Sequence, residues 1–120
     1  MTDKIVVLTT CSSSEEAQRL ARSLVEKRLA ACVNVMPGVR SVYRWINEAG
    51  KSEAGKDAIV DEEEILLLIK SSRALLEELK GEIERQHSYE VPEVVALPIV
   101  DGSPNYLSWI EQELRPAGTS

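Results

Sequence analysis

Residues 5–29, IVVLTTCSSSEEAQRLARSLVEKRL, place a strand pattern directly before a helix pattern, and this pair decides the fold. The first six residues are β-branched or apolar on both faces, as in a strand buried in the middle of a sheet. Ser13 and Glu16 have the spacing of a capping box, in which each side chain bonds an orphan amide at the helix start. Apolar residues then recur at helical spacing to Leu29, which predicts one amphipathic helix.

The middle of the chain predicts two further strands joined by a long connection. Residues 31–46 have strand composition and are interrupted only by Pro37-Gly38, which predicts a bulge or bend within one strand. Residues 47–61 are polar and small, which predicts a long loop or a hairpin tip. Residues 64–70, EILLLIK, then predict a second strongly buried strand.

The last part of the chain predicts a helix, a strand and a short helix. Ser71 and Ser72 offer N-caps to a second helix that should end near His87. Residues 93–100 predict a fourth strand, in which Pro98 indicates an edge or a bulge. Ser103, as a cap before Pro104 at the first helical position, starts the third helix.

The predicted order is β-α-β-β-α-β plus a C-terminal helix, which is the ferredoxin-like split βαβ arrangement of the α+β class. We expect an antiparallel sheet with two helices on one face, formed by residues 1–114 as a single domain. Residues 115–120 should form a flexible tail. The long hairpin exposes strand edges that another subunit can cover, which predicts a homo-oligomer.

Composition narrows the classes of partner. The chain has 120 residues, a formal net charge of −6 and a pI near 4.9, and it lacks the clustered basic residues that a nucleic-acid partner needs. We see neither a secretory signal nor an apolar run long enough to span a membrane. The two cysteines, Cys11 and Cys32, are then expected to be free thiols in the cytoplasm.

Three segments together resemble the CutA family of divalent-cation tolerance proteins. They are LAACVNVMPGVRSVYRW at 29–45, ILLLIKSS at 65–72 and HSYEVPEVVALPIVDGSPNYLSWI at 87–110. The resemblance covers the whole chain apart from its tail. It implies a ferredoxin-like subunit that assembles through its sheets into a tight homotrimer and takes part in the response to metal ions.

The chain departs from the family pattern at three places. Relatives usually read His-Pro-Tyr where this chain reads His87-Ser88-Tyr89, and its loop between Trp45 and Glu64 is longer. Copper ligation in the family is associated with the histidine and with a cysteine at the end of the first strand. Here that position carries Thr9 and Cys11 follows two residues later, so a thiolate ligand does not transfer directly.

The segment from His87 to Glu93 is the candidate metal site. His87, Glu90 and Glu93 supply one imidazole and two carboxylates, a mixture that suits zinc or copper as a divalent cofactor. Ligands from neighbouring subunits of a trimer would complete the shell. In the alternative reading, His87 ends the second helix and bonds its last carbonyls, while both acids lie in solvent.

A second candidate site is a cleft between subunits, with Cys32, Lys70 and Tyr89 as its predicted residues. In this alternative function the protein is a PII-like trimeric signalling or scaffold module, and Lys70 contacts a small anion. Cys32 with His87 also forms a conceivable hydrolase pair. No third orienting group or oxyanion hole accompanies that pair, so we do not expect an enzyme.

The large rings are predicted to pack the trimer. Tyr43 and Trp45 lie in the hairpin, and Tyr106 and Trp109 lie in the C-terminal segment. Aromatic rings commonly anchor interfaces, and these elements are the ones expected to meet other subunits.

Overall fold

The structure, a computed structural model, describes residues 2–45 and 59–118. The predicted element order is confirmed. Along the chain lie β1 (Lys4–Cys11), α1 (Ser14–Glu26), β2 (Cys32–Arg44), β3 (Ile59–Ser72), a 3-10 turn (Arg73–Leu75), α2 (Leu76–Gln86), β4 (Val95–Pro98) and α3 (Pro104–Glu113).

The four strands form one antiparallel sheet in the order β2-β3-β1-β4. Strand β1 pairs with β3 from Lys4 opposite Ser72 to Cys11 opposite Ile65. Its other side pairs with the short strand β4. Because side chains alternate along a strand, one set of β1 residues faces α1 and α2 while the other set faces away.

The hydrophobic core lies between the sheet, α1 and α2. Alternate residues of β1 and β3 point into it, and both helices add apolar residues at helical spacing. Each large aliphatic side chain buried there stabilises the fold by about 1.5–3 kcal/mol. Among these large aliphatic side chains, six have no exposed area at all: Val7, Leu24, Leu67, Ile69, Leu79 and Ile83.

The caps predicted for α1 and for the second helix differ in part from those in the structure. Ser13 caps α1 as expected, because its Oγ accepts a hydrogen bond from the Glu16 amide at 3.2 Å. The Glu16 carboxylate, however, accepts its hydrogen bond from the Ser88 amide of a distant segment. Ser72 precedes the 3-10 turn without a side-chain cap, and the buried Ser71 hydroxyl donates to the Leu29 carbonyl instead.

The hairpin of β2 and β3 overruns the sheet, and we call this overrun, residues 39–44 with 59–64, the arm. The predicted bulge is confirmed, because Met36 pairs with Leu66 and Val39 with Glu64, so β2 holds one extra residue there. Gly38 has φ +80, a conformation that glycine adopts without strain. Strand β3 begins at Ile59, before the predicted position 64, because the arm pairs beyond the end of β1.

The predicted loop at 47–61 is therefore wrong at residues 59–61, which belong to β3. The rest of that loop, and Ile46 of the predicted strand, lie outside the described residues.

The C-terminal elements follow the prediction with smaller differences. Strand β4 lies at the sheet edge as Pro98 indicated, but it spans four residues rather than the predicted eight. Helix α3 begins at Pro104, and Ser103 precedes it without a side-chain cap. The Arg115 amide donates to the Arg28 carbonyl, and the expected flexibility of 115–120 stays a prediction.

No helix within residues 2–45 and 59–118 is both long enough and apolar enough to cross a bilayer.

Helices α1 and α2 are joined by a buried carboxylate. Glu82 is 5% exposed and accepts hydrogen bonds from Lys27, at the end of α1, and from Arg85 and Gln86 of its own helix. Burial raises the pKa of Glu82, but the hydrogen bonds from Lys27, Gln86 and Arg85 outweigh it and hold the pKa at about 2. The ionised carboxylate therefore stabilises the folded state.

We expect Glu82→Gln to lower the free energy of unfolding by about 1–3 kcal/mol at pH 7, because a charged hydrogen-bond acceptor is lost. The Glu82 contribution is complete above its ordinary pKa and disappears as the pH falls from about 5 to about 2. The deficit of the variant should therefore shrink over that range in urea titrations. The exposed Glu84 provides the matched control Glu84→Gln, for which an equal deficit would contradict this assignment.

Candidate functional site

The single histidine lies where α2 ends, against the end of β1. His87 is the C-cap residue and its backbone turns extended there, with ψ 143. Its Nε2 lies 2.7 Å from the Thr10 carbonyl oxygen, and its Nδ1 accepts a hydrogen bond from the Tyr89 amide at 3.0 Å. These partners assign the proton to Nε2. The helix end near His87 is confirmed, but the bonded carbonyl belongs to β1 rather than to α2.

Three potential metal ligands meet at this point. One ligand atom each from Cys11, Glu16 and His87 lies within 4.8 Å of the other two, and we call this group the S/O/N cluster. Cys11 Sγ is 3.9 Å from His87 Nε2. Strand β1 continues through Cys11, one residue beyond the predicted strand, so this cysteine does end the first strand. Sequence reasoning therefore missed Cys11 as a neighbour of the histidine.

Glu16 is the charged member of the cluster. It is 5% exposed, and its Oε2 accepts a hydrogen bond from the Ser88 amide at 2.8 Å. Burial raises the pKa of Glu16, but the hydrogen bonds of Ser88, helped by the Arg19 charge, lower it on balance. Its other oxygen, Oε1, is buried and has no hydrogen-bond partner among the described residues.

Cys11 is held as a thiol. Burial, and then the negative charge of Glu16, raise the pKa of Cys11 to about 12. A metal ion that binds Sγ must therefore displace the thiol proton, because the thiolate is the ligating form. This cost selects cations that bind sulfur strongly.

Tyr89 supports the histidine from its outer side. Its ring centroid lies 4.7 Å from that of His87. Its hydroxyl donates to Glu64 Oε2 at 2.6 Å. Burial, together with that hydrogen bond, raises the pKa of Tyr89, so the phenol remains a donor. The ring is thus fixed between the end of α2 and strand β3.

The structure separates the other predicted site residues. Glu90 and Glu93 are exposed and do not belong to the S/O/N cluster, and their role as metal ligands stays a prediction. Cys32 and Lys70 are cross-strand partners, and the Lys70 ammonium donates to the Asn34 side chain. Tyr89 lies apart from this pair, beside His87.

The conceivable hydrolase pair is not assembled. Cys32 pairs with Lys70, which pairs in turn with Val6 of β1. His87 contacts Thr10, four residues further along β1, which is about 13 Å at about 3.3 Å per residue. The thiol close to the imidazole is that of Cys11.

The four predicted interface rings form two exposed pairs. Tyr43 and Trp45 pack edge to face at 6.4 Å between centroids, and Tyr106 and Trp109 stack at 5.7 Å. All four are more than one-third exposed in the single subunit. The Tyr43 hydroxyl donates to Glu62, and this hydrogen bond raises the Tyr43 pKa to about 12. Their role at an interface stays a prediction.

Comparison with known proteins decides the family. A sequence profile described as "CutA1 divalent ion tolerance protein" matches residues 5–113. The chain belongs to the CutA1 family. It is 44% identical over 107 residues to the divalent-cation tolerance protein CutA of Thermus thermophilus, with 89% of this chain and 94% of that protein covered.

A plant relative shows the same similarity over part of its length. The chloroplastic CutA of Arabidopsis thaliana is 45% identical over 111 residues, which are 92% of this chain and 56% of that protein. The chain thus spans about half the length of this CutA relative. The name of the Thermus thermophilus relative describes divalent-cation tolerance rather than an enzymatic reaction.

Solved CutA1 structures share the fold. The Thermus thermophilus structure aligns with a TM-score of 0.81 and 42% identity, over 93% of this chain and 99% of that one. The Oryza sativa CutA1 structure aligns with a TM-score of 0.83 and 39% identity, over 93% and 94% of the two chains. The antiparallel four-stranded sheet with three helices is therefore that of the CutA1 family.

We expect Cys11 to resist alkylation in the folded protein, because it has no exposed area and its pKa is about 12. In a Cys32→Ser variant, where Cys11 is the only thiol, iodoacetamide at pH 8 should react on the order of 100-fold more slowly than after unfolding in guanidinium. Intact mass measured against time gives both rates. Equal rates in the two states would contradict a buried, protonated Cys11.

Proposed function

We propose that the chain is a divalent-cation-binding subunit that acts in the response to metal ions. The single observation that carries this proposal is the convergence of sulfur, oxygen and nitrogen ligand atoms from Cys11, Glu16 and His87 within 4.8 Å. The names of its relatives, divalent-cation tolerance proteins, support the same role. His87 belongs both to this cluster and to the ligand set predicted from the sequence.

The donor set fits zinc or copper. Thiolate, imidazole and carboxylate are the ligands that both metals use, and three protein ligands leave a fourth position for water or another group. The buried, unpartnered Glu16 Oε1 supports such a ligand, because buried polar atoms are normally satisfied. A bound metal would balance the negative charge of the buried Glu16 carboxylate, and the chain would orient the three ligands.

A homotrimer of ferredoxin-like subunits is the second part of the proposal. The sheet face opposite α1 and α2, here called the open face, carries a row of apolar residues, assigned to that face by strand register. Isolated domains rarely leave so many neighbouring apolar side chains open to water, which supports burial against other copies. The row comprises Val6, Leu8, Leu66, Leu68, Val95 and Leu97.

The setting and the partners follow from the same features. Both cysteines are free thiols, which supports the proposed cytoplasmic location. The formal charge of −6 supports a cation rather than a nucleic acid as the ligand. We propose that a small ion or molecule, and other copies of the chain, are the partners.

A small-anion site is a second candidate function. The Lys70 ammonium donates to the neutral Asn34 amide, beside Cys32 on the open face, so its positive charge lies where subunits of the proposed trimer meet. This placement supports the PII-like alternative. Titrations with inorganic phosphate and with metal salts separate the two candidates.

We expect one Zn2+ per subunit to bind, and both Cys11→Ser and His87→Ala to weaken its binding at least tenfold, because each removes a ligand. Cys32→Ser is the matched control, since it removes the other thiol and leaves the cluster intact. Isothermal titration with each variant gives the affinities. Equal affinity in Cys11→Ser and wild type, or a loss in Cys32→Ser instead, would exclude the cluster as the site.

We expect the protein to sediment as a trimer at micromolar concentration and Leu97→Glu to shift it toward monomer, because a charge would enter the apolar open face. Leu97 is 47% exposed in the single subunit, and Val25, on α1, is 42% exposed. Val25→Glu therefore adds the same charge at a similar exposure away from that face. A monomeric wild type, or equal dissociation by both variants, would argue against this interface.

A further inference from the structure

The open face carries two lysines whose charges are compensated differently. The strand register places both Lys4 and Lys70 on this face. The Lys4 ammonium forms ion pairs with Asp3 at 2.6 Å and with Glu111 of α3 at 2.5 Å. The Lys70 ammonium instead donates to the neutral Asn34 side chain, and no carboxylate of the described residues lies within ion-pair distance of it. Lys70 therefore brings a positive charge without a counterion from the described part of its own chain.

Lys70 lies beside the apolar row that the proposed trimer would bury. Its cross-strand neighbours are Val6 on β1 and Cys32 on β2, and Val6 in turn pairs with Leu97 of β4. When another copy covers this row, the Lys70 charge is removed from water together with it. A buried charge is costly unless it is paired. The assembled form therefore requires an anion at Lys70.

The groups around Lys70 offer further donors to such an anion. Because an ammonium only donates, Asn34 accepts through its side-chain oxygen, and its NH2 group can donate elsewhere. Tyr106 of α3 lies near the same place, since burial and then the proximity of Cys32 raise the pKa of Tyr106. Its hydroxyl therefore keeps its proton. Ammonium, amide and hydroxyl donors together suit the oxygen atoms of a phosphate or a carboxylate.

We propose that Lys70 holds a small oxyanion, a phosphate or a carboxylate group, between copies of the chain, with Asn34 and Tyr106 as further donors. The bound anion compensates the Lys70 charge and thereby stabilises the trimer. This inference rests on the proposed homotrimer and deepens the small-anion candidate, because it links the anion to assembly. An anion that binds the assembled form more tightly than the single subunit shifts the equilibrium toward assembly.

The charge of Lys70 can be removed while most of its packing is kept. Lys70→Met retains an unbranched apolar chain on the open face and deletes the ammonium. Lys80→Met is the matched control, because Lys80 lies on α2, on the other side of the sheet, and pairs with Glu77 at 2.9 Å. Tyr106→Phe removes one hydroxyl and tests the donor on α3.

Isothermal titration of the assembled protein with inorganic phosphate and, separately, with acetate measures the binding. Wild type and Lys80→Met should bind at least one of the two anions with equal affinity, and the tighter of the two identifies the class. Lys70→Met should bind it at least tenfold more weakly, because a charged donor is lost, and Tyr106→Phe about fivefold more weakly. No binding of either anion to wild type, or equal binding by Lys70→Met, would overturn the proposal. An unchanged affinity in Tyr106→Phe would remove Tyr106 from the site.

Assembly gives a second readout. At an ionic strength kept equal with sodium chloride, the anion that binds should shift the dissociation of wild type to higher urea concentration, as followed by sedimentation velocity. Lys70→Met should dissociate at higher urea than anion-free wild type, because an apolar side chain replaces a buried charge, and it should not respond to the anion. An equal anion effect in Lys70→Met and wild type would contradict the link.

Failure of this link is distinguishable from failure of the proposed function. If wild type sediments as a monomer both with and without the anion, the homotrimer and the anion link fall together. If wild type is a trimer that binds neither anion, the anion proposals fall and the homotrimer stands, with the Lys70 charge paired by a carboxylate of another copy. Neither result changes the Zn2+ titrations that test the S/O/N cluster.

Discussion

The pairing of β1 with a strand on each side is the constraint on which the rest of the structure depends. Strands β3 and β4 hold β1 inside the sheet, so alternate residues such as Val7 are covered by the helices. The same pairing carries the strand to Cys11, where its last carbonyls and side chains meet the end of α2. His87 reaches Thr10 only because this register sets the strand end beside that helix terminus. The core and the candidate site therefore share one strand, β1, and Cys11 belongs to both.

The cluster combines groups whose charges respond differently to burial. Cys11 avoids the cost of a buried charge by keeping its proton, whereas Glu16 remains ionised because a backbone amide stabilises it. His87 contributes an N–H that is bonded to a carbonyl. These hydrogen bonds and the retained thiol proton limit the cost of burying the cluster without a cation, but the Glu16 Oε1 oxygen has no hydrogen-bond partner among the described residues. The proposed metal binding rests on this arrangement, because a cation that binds sulfur would compensate the negative charge of Glu16.

Sequence patterns predicted the element order, the bulge and the end of α2, because each depends on local periodicity or on proline and glycine geometry. They did not predict the candidate cluster. Glu16 had the spacing of a reciprocal cap, and only the tertiary structure shows that its carboxylate bonds Ser88, 72 residues away in sequence. Cys11 was not predicted as a ligand because the first strand was expected to end at Thr10. The pairing of β1 continues for one more residue and brings the Cys11 sulfur close to His87. Contacts between distant segments leave no short-range pattern in the sequence. The sequence therefore predicted the nearby Glu90 and Glu93 as ligands instead.

The extra residue in β2 sets the phase of the arm. Before the bulge, even-numbered residues of β2 lie opposite even-numbered residues of β3, and beyond it odd-numbered residues do, so that Tyr43 lies opposite Val60. Removing one residue at 37–38 would shift the β2 part of the arm by one position relative to β3. Arg44 would then lie opposite Val60 in place of Tyr43, and the β2 side chains of the arm would exchange faces of the hairpin. The Pro37-Gly38 pair therefore determines which side chains of β2 lie on each face of the arm.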